Sequence, residues 1–113
     1  MNINFGGYNF SEPTKLTTWK PPYLAGLYAI LIPDLSGDPL PLRVIYFGES
    51  GNMSERGFPS SHAKYSCWIA EASSEDYLSI TIFPMPGSTE EQRRTIENQL
   101  ISRYSPTCNQ GMC

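Results

Sequence analysis

Two short apolar runs, each with a tyrosine beside a glycine, most constrain the fold of this 113-residue chain. The first run spans residues 25–32 and holds Gly26-Leu27-Tyr28; the second spans residues 44–48 and holds Tyr46-Phe47-Gly48. The segment between them is rich in proline and glycine, which is typical of two neighbouring strands joined by a turn. Glycine permits close approach of a backbone or ligand, and a phenol both donates and accepts hydrogen bonds. Tyrosine is also common in strands, so the pair alone indicates only a candidate polar site on a sheet.

The chain that follows predicts the element order strand, strand, helix, strand, helix. Residues 60–72 carry apolar side chains at helical spacing, and residues 78–83 are rich in β-prone residues. The last helix is expected to start at a capping box formed by Ser88 and Glu91 and to end near Tyr104, just before a proline. This order predicts a small α+β fold, sandwich-like, in which a layer of three strands is flanked by helices.

The N-terminal part of the chain looks different from the remainder. Residues 1–23 hold several glycines, prolines and aromatic residues, which predicts an irregular aromatic arm before a single domain over residues 24–113. Such an arm can pack on the domain or bind a partner, and packing is favoured because apolar surface prefers burial. The polar turn after Gly48 predicts a short helix capped by Asn52 or Ser54.

Composition bounds the compartment and the use of cysteine. No run approaches the roughly 18 apolar residues of a membrane span, and no basic start precedes an apolar stretch, so a cytoplasmic location without membrane contact is expected. The three cysteines, Cys67, Cys108 and Cys113, are an odd number without tight spacing. This pattern predicts reduced thiols with neither a disulfide framework nor a zinc site.

A carboxylate and an arginine fall on the apolar side of the last predicted helix. The predicted buried stripe consists of Ile96, Leu100, Ile101 and Tyr104. On a helical wheel Glu97 and Arg93 lie inside this stripe. An ionised carboxylate is expensive to bury without a partner, so Glu97 must be paired or must hold a cation at the rim of a site. An ion pair with Arg93 or Arg56 is the structural alternative.

The net charge of −3 limits how the chain can bind nucleic acid. Because binding to phosphates needs positive charge, any such surface must be local. Arg93, Arg94 and Arg103 do cluster near the C-terminus. A local basic patch on an acidic protein is therefore compatible with the sequence, although composition alone does not predict one.

Taken together, these residues resemble the GIY-YIG nuclease family. The matching positions, in the order of that family, are Gly26-Leu27-Tyr28, Tyr46-Phe47-Gly48, Arg56, Glu97 and Asn109. The resemblance covers roughly residues 25–110 and implies a three-stranded antiparallel sheet flanked by helices. It also implies hydrolysis of phosphodiester bonds in DNA with one divalent metal ion, Mg²⁺ or Mn²⁺. That chemistry is compatible with one dedicated carboxylate, because Mg²⁺ often completes its shell with water and substrate phosphates.

The resemblance assigns a role to each matching residue. Glu97 is the expected metal ligand, Tyr28 and Tyr46 line the catalytic face, and Arg56 contacts the scissile phosphate. His62, six residues after Arg56, is either a proton shuttle or a surface histidine, with Tyr65 as its substitute. The expected substrate-binding positions are Gly48, Ser50, Arg93 and Asn109, of which Asn109 supports the site. A phenol is a poor base at pH 7 unless nearby positive charge lowers its pKa.

The sequence leaves two other interpretations open. A nuclease-like domain of this kind could bind nucleic acid or a protein partner without cutting, which the acidic composition favours. Alternatively, Glu97, Arg93 and Arg56 could form a purely structural ion-pair network. DNA is the expected substrate, with RNA left open, and a homodimer is one way in which a single site per chain could cut both strands.

Overall fold

The computed structural model describes residues 2–34, 42–55 and 57–110, which form an α+β fold. The strands are β1 (Ile3–Phe5), β2 (Tyr8–Phe10), β3 (Thr14–Lys15), β4 (Gly26–Pro33), β5 (Leu42–Ser50) and β6 (Ser79–Pro84). The helices are α1 (Tyr65–Ala72) and α2 (Glu90–Tyr104), and short 3₁₀ helices span Glu75–Tyr77 and Thr107–Asn109. Within these ranges, neither helix has the length and apolar character needed to cross a membrane.

The α+β class is confirmed, but the main sheet has four strands rather than the predicted three. Strands β4, β5 and β6 correspond to the three predicted runs, and they pair in the order β3-β6-β4-β5, antiparallel throughout. The additional strand β3 pairs with β6 through Thr14 opposite Ile80 and Lys15 opposite Ser79. Its two residues are too few to show the alternation by which a strand is recognised in a sequence.

The N-terminal segment packs on the rest of the chain, as favoured above, but it is not irregular throughout, because three short strands lie within residues 3–15. Strands β1 and β2 form an antiparallel hairpin around Gly6 and Gly7, both of which have positive φ. Phe5 and Phe10 are buried, and the Phe5 ring packs edge-on against Phe10 and Phe47. The aromatic residues thus pack on the sheet, and the glycines that suggested irregular chain instead form the hairpin turn.

The four-stranded sheet carries a hydrophobic core on each face. On one face α1 supplies the fully buried Trp68, and on the other α2 supplies Leu100 together with the N-terminal hairpin. A bulge in β5 serves both cores, because Ile45 is an extra residue between Val44 and Tyr46. Ile45 and Tyr46 consequently both face α1, whereas Val44 packs on the α2 side.

The start of α2 differs from the prediction by one residue. Its N-terminal cap is Thr89, whose hydroxyl accepts from the Gln92 amide while the Gln92 side chain accepts from the Thr89 amide. Ser88, predicted to cap the helix, instead accepts hydrogen bonds from Arg93 through its carbonyl and its hydroxyl. The helix ends at Tyr104 as predicted, but this last side chain is 36% exposed, and its hydroxyl accepts from the amide of Gly6.

Two further local predictions need correction. The helix expected from residue 60 begins only at Tyr65, because turns occupy residues 57–64. The short helix expected directly after Gly48 does not form in residues 49–55. Instead the Asn52 side chain accepts hydrogen bonds from the amide and the hydroxyl of Ser54, which closes a turn.

Cys67 and Cys108 form a disulfide, so the prediction of reduced cysteines is wrong for this pair. They lie 41 residues apart in sequence, one on α1 and the other in the second 3₁₀ helix, with a Cα–Cα distance of 6.0 Å. Both elements pack against β5, and only the fold brings the two sulfur atoms together. Cys113 lies outside the described residues, as do Arg56 and the proline-rich turn between β4 and β5.

Candidate active site

Tyr28 and Tyr46 lie side by side on the face of the sheet that α1 covers. Tyr28 on β4 is opposite Gly48 on β5, and Tyr46 lies two residues before that glycine. The two ring centroids are 6.2 Å apart and the ring planes are inclined by 34°. The neighbouring strands therefore bring together the two phenols that the sequence singled out.

Gly48 makes room for the Tyr28 ring. A Cβ atom at this position would overlap the ring carbons and the hydroxyl oxygen of Tyr28. Tyr28 is only 2% exposed, so the ring that this Cβ atom would meet is part of the core. Gly48 was predicted as a substrate-binding position, and the structure places it as the floor beneath one phenol.

His62 contacts the pair through Tyr46. Its Nε2 atom lies 3.4 Å from the Tyr46 hydroxyl, and its Nδ1 atom accepts a hydrogen bond of 2.9 Å from the backbone amide of Lys64. Because a backbone amide can only donate, Nδ1 carries no proton, and a neutral ring must carry its proton on Nε2. Burial, followed by the charge of Lys64, lowers the pKa of His62 and favours that neutral ring. His62 therefore donates to the Tyr46 oxygen.

Phe58 and Trp68 enclose the two phenols. The Phe58 ring centroid is 5.0 Å from that of Tyr28, and the Trp68 centroid is 5.4 Å from that of Tyr46. Trp68 also stacks at 4.9 Å on His62. Neither enclosing residue was identified from the sequence as part of a site. In the sequence these two aromatic residues flank His62, and that pattern by itself predicts only core packing.

Burial raises the pKa of both tyrosines, but not equally. For Tyr28, burial comes first, followed by the negative charges of Tyr46 and Glu97, and its pKa lies far above the ordinary value. For Tyr46, burial and then the Glu97 charge raise the pKa to about 12, while the side-chain interaction with the Tyr28 hydroxyl lowers it. Tyr46 is therefore the phenol that loses its proton more readily.

Glu97 on α2 presents a half-buried carboxyl group that interacts electrostatically with both phenols. Among the described residues, no ion pair or hydrogen bond engages this carboxylate. Burial, followed by the negative charge of Glu49, raises the pKa of Glu97 to about 7, and among the described residues the charge of Arg94 opposes this shift. The group is therefore costly to ionise until a cation approaches it.

Arg93 does not pair with Glu97, and the predicted ion pair between them is wrong. Its Nε atom donates to Glu49 Oε1 at 2.8 Å, and its Nη1 atom donates to the carbonyl and hydroxyl of Ser88 at 2.8 and 3.0 Å. The side chain is only 8% exposed. Glu49 on the edge strand β5 is thus the ion-pair partner of Arg93. Two of the three guanidinium nitrogens of Arg93 donate hydrogen bonds within the protein.

The remaining predicted positions have local partners or fall outside the described residues. The side-chain amide of Asn109 brackets one residue of β5, accepting from Phe47 N at 2.8 Å and donating to Phe47 O at 3.0 Å. Asn109 therefore supports the strand segment that carries Tyr46. The Ser50 hydroxyl accepts from the amide of Asn52 in the following turn. Arg56, the predicted phosphate contact, is outside the described part of the chain.

The oxygen atoms at this site suit a hard divalent cation held largely by water. In the described ranges no group of three or more His, Cys, Asp or Glu side chains forms a ready-made metal cage. Mg²⁺ does not need one, because one or two carboxylates, water and substrate phosphates commonly complete its shell. The half-buried carboxylate of Glu97, with the negative charge of Glu49 nearby, fits that mode of binding.

Comparison of the chain with protein-family models, with curated proteins and with solved structures gives no match. The candidate function therefore depends on the geometry and electrostatics of the site.

Proposed function

We propose that the chain is a divalent-metal-dependent endonuclease that hydrolyses phosphodiester bonds in DNA by a one-metal mechanism. The observation that carries this proposal is the Glu97 carboxylate, which is half-buried beside two phenols and has a pKa raised to about 7. No ion pair or hydrogen bond within the described ranges compensates its charge. The resemblance to the GIY-YIG nucleases supports the proposal, because Tyr28, Tyr46 and Glu97 match the order of that family's motifs in sequence.

In this proposal the protein residues divide binding and proton transfer between them. Glu97 holds one Mg²⁺ or Mn²⁺ ion, which when bound supplies Lewis-acid stabilisation of charge on the phosphate. For this role Tyr46, whose pKa is about 12, would first lose its own phenol proton to solvent. Its phenolate, stabilised by His62 Nε2–H and the Tyr28 hydroxyl, would then accept the proton of the attacking water. Neutralising Glu97 removes one of the causes that raise the pKa of Tyr46. Arg56 keeps the phosphate-contacting role that the resemblance implies.

The proposed setting is the one that the sequence predicts. We place the protein in the cytoplasm, acting on DNA, with cleavage of both strands achieved by a homodimer or by two successive encounters. The net charge of −3 means that phosphate contacts come from local cations rather than from a basic surface. RNA is the alternative substrate, and it is distinguished by offering both polymers in the same assay.

Nicking of supercoiled plasmid in Mg²⁺ or Mn²⁺ tests the proposal. We expect wild type to nick, and Glu97→Gln to lower the rate by about 10³-fold, because transition-state charge then loses its counter-ion. Glu91→Gln, an exposed position on the same helix, is the matched control and should nick at the wild-type rate. Equal nicking by wild type and Glu97→Gln would sink the assignment of Glu97 as metal ligand.

The same assay separates the two phenols and the alternative function. Tyr46→Phe should lower the rate by about 10²- to 10⁴-fold, as expected for loss of a general base, and Tyr28→Phe should lower it less. The reverse order would exchange their roles. If folded wild type with metal does not nick, the alternative is favoured, in which a GIY-YIG-like domain binds nucleic acid or a protein without cutting.

A further inference from the structure

The Cys67–Cys108 disulfide joins the two elements that hold Tyr46 in place. Cys67 precedes Trp68 on α1, and the Trp68 ring lies 5.4 Å from the Tyr46 ring. Cys108 precedes Asn109, whose side-chain amide binds both the amide and the carbonyl of Phe47. Phe47 follows Tyr46 directly on β5. One covalent bond thus ties the support on the ring side of Tyr46 to the support on its backbone side.

The second of these supports is a small element on the edge of the sheet. Strand β5 is the edge strand on this side, and the 3₁₀ helix that binds it is three residues long, Thr107–Asn109. Cys108 is fully buried and Cys67 is 2% exposed, so neither sulfur can react with a reagent in solution while the short helix is in place. Reaction at the sulfurs therefore requires local opening, and the segment that carries Asn109 is the smaller of the two elements that cover them.

We propose that Cys67 and Cys108 form a redox-sensitive clamp that fixes the Tyr46 segment of β5 when bonded and loosens it when reduced. Control of cleavage by this clamp rests on the proposed nuclease function. On oxidation, a bond forms between the two Sγ atoms while the S–S bond of a small disulfide breaks. The two thiol protons and two electrons pass to the sulfurs of that small disulfide, giving two small thiols. Reduction by a dithiol is the reverse reaction.

This clamp is consistent with the proposed compartment. Persistent structural disulfides are rare in the cytoplasm, where disulfides that do form are usually transient and redox-sensing. A pair at bonding distance beside a catalytic phenol is suited to such sensing. The fold already holds the two sulfur atoms side by side. The rate of thiol–disulfide exchange is then set by local opening of a three-residue helix rather than by global unfolding.

Amide hydrogen exchange and plasmid nicking, measured on the full chain in oxidised and reduced form, test this clamp. Oxidation state is verified by mass after thiol alkylation. We expect reduction to speed exchange at the Phe47 amide by about tenfold, while the amides of the central strand β4 keep their protection. Nicking should fall by about tenfold in parallel, because a base must be held within hydrogen-bond reach of the proton it takes.

Three variants make the test specific. Cys113→Ser should keep the full redox response, whereas the double variant Cys67→Ala/Cys108→Ala should exchange and nick like the reduced protein under both conditions. Asn109→Ala should speed reduction of the disulfide by about tenfold, because opening of the short helix then breaks two fewer hydrogen bonds. Asn98→Ala, an exposed asparagine on α2, should reduce at the wild-type rate.

The outcomes separate the clamp from the nuclease function. Identical exchange at Phe47 in both oxidation states overturns the clamp, whatever the nicking rates are. Faster exchange on reduction with an unchanged nicking rate overturns redox control and leaves a structural cross-link. Absence of nicking in both states overturns the proposed function, and the Phe47 amide then decides the clamp by itself.

Discussion

Two charged residues one helical turn apart on α2, Arg93 and Glu97, have opposite environments. Arg93 is buried in a network in which Glu49 and Ser88 accept hydrogen bonds from two of its three guanidinium nitrogens. Glu97 is half-buried beside Tyr28 and Tyr46, and no ion pair among the described residues engages it, although the charge of Arg94 acts on it from a distance. Both residues lie on the side of the helix that an apolar pattern would reserve for hydrophobic side chains.

The contrast between Arg93 and Glu97 suggests different roles for the two charges, one in stability and the other in binding a cation. Removal of one partner of a buried, hydrogen-bonded ion pair is strongly destabilising, because it leaves the other charge uncompensated. An ionised, half-buried carboxylate without a partner destabilises the folded state. Carboxylates of this kind cluster at functional sites, where a bound cofactor or substrate supplies the opposite charge. The Arg93 network therefore contributes to the scaffold, and Glu97 is the group that we propose binds the cation.

The largest expected effect on stability comes from removing Arg93 from its hydrogen-bonded network. Arg93→Met should lower the free energy of unfolding by about 3–5 kcal/mol, because Glu49 would remain as an uncompensated, largely buried charge. Urea denaturation measures the change. Arg94→Met is the matched control, since its exposed ion pair with Glu90, at 2.7 Å, is worth only about 0.3–0.5 kcal/mol. Equal losses in the two variants would mean that the Arg93 network is not structural.

A smaller effect is expected from Gly48→Ala, which probes the floor of the open site. The added methyl group would overlap the Tyr28 ring, and overpacking of this kind costs about 1–3 kcal/mol. We expect reduced stability in urea together with a reduced nicking rate, because the added methyl group must displace the Tyr28 ring or the strand beneath it. Wild-type values for both quantities would show that the phenol does not lie over Gly48.

The pH dependence of stability should sharpen the comparison further. The pKa of Glu97 is about 7 in the folded state against 4.5 ordinarily, so the folded protein binds more protons between these values. Stability from this group is complete below about pH 4.5 and is lost as the pH rises towards 7. Because the group is partly exposed, the loss should be on the order of 1 kcal/mol.

Urea denaturation at about pH 5 and about pH 7.5 measures that loss. The difference between wild type and Glu97→Gln isolates the contribution of Glu97, because His62 titrates in both proteins. Added Mg²⁺ should reduce the loss in wild type alone, since a bound cation favours the ionised carboxylate. Identical pH profiles for the two proteins would contradict the raised pKa.

The smallest effect concerns Tyr65, the predicted substitute for His62. Its hydroxyl donates to Glu75 at 2.9 Å on the exposed side of α1. Tyr65→Phe should therefore change stability by only about 0.5–1.5 kcal/mol and leave nicking at the wild-type rate. A loss of activity as large as that of Tyr46→Phe would instead assign to Tyr65 the role that we give to His62.

The sequence predicted those features that depend on local pattern. The runs around Tyr28 and Tyr46 are long and apolar enough to identify two strands, and the wheel of α2 correctly placed Arg93 among buried side chains. The two-residue strand β3 and the hairpin turn at Gly6 and Gly7 carry no such periodicity. They were therefore recognised only in the structure.

Features that depend on which elements meet in space were not accessible from the sequence. Glu49 was not considered as a partner of Arg93, because the two residues are 44 positions apart and come together only when α2 packs on β5. The same holds for Cys67 and Cys108, and for the enclosure of the phenols by Trp68. The order of residues along the chain indicated the members of the site, whereas their partners followed from packing.

The pKa of the Glu97 carboxyl group, followed by NMR through its side-chain carbonyl carbon, tests the central claim most directly. Titrations without metal and with Mg²⁺ should be compared. We predict a pKa of about 7 without metal, as burial and Glu49 require, and a clearly lower pKa in Mg²⁺. A pKa near the ordinary 4.5 that Mg²⁺ leaves unchanged would contradict the account, because Glu97 would then be neither unpartnered nor a cation ligand.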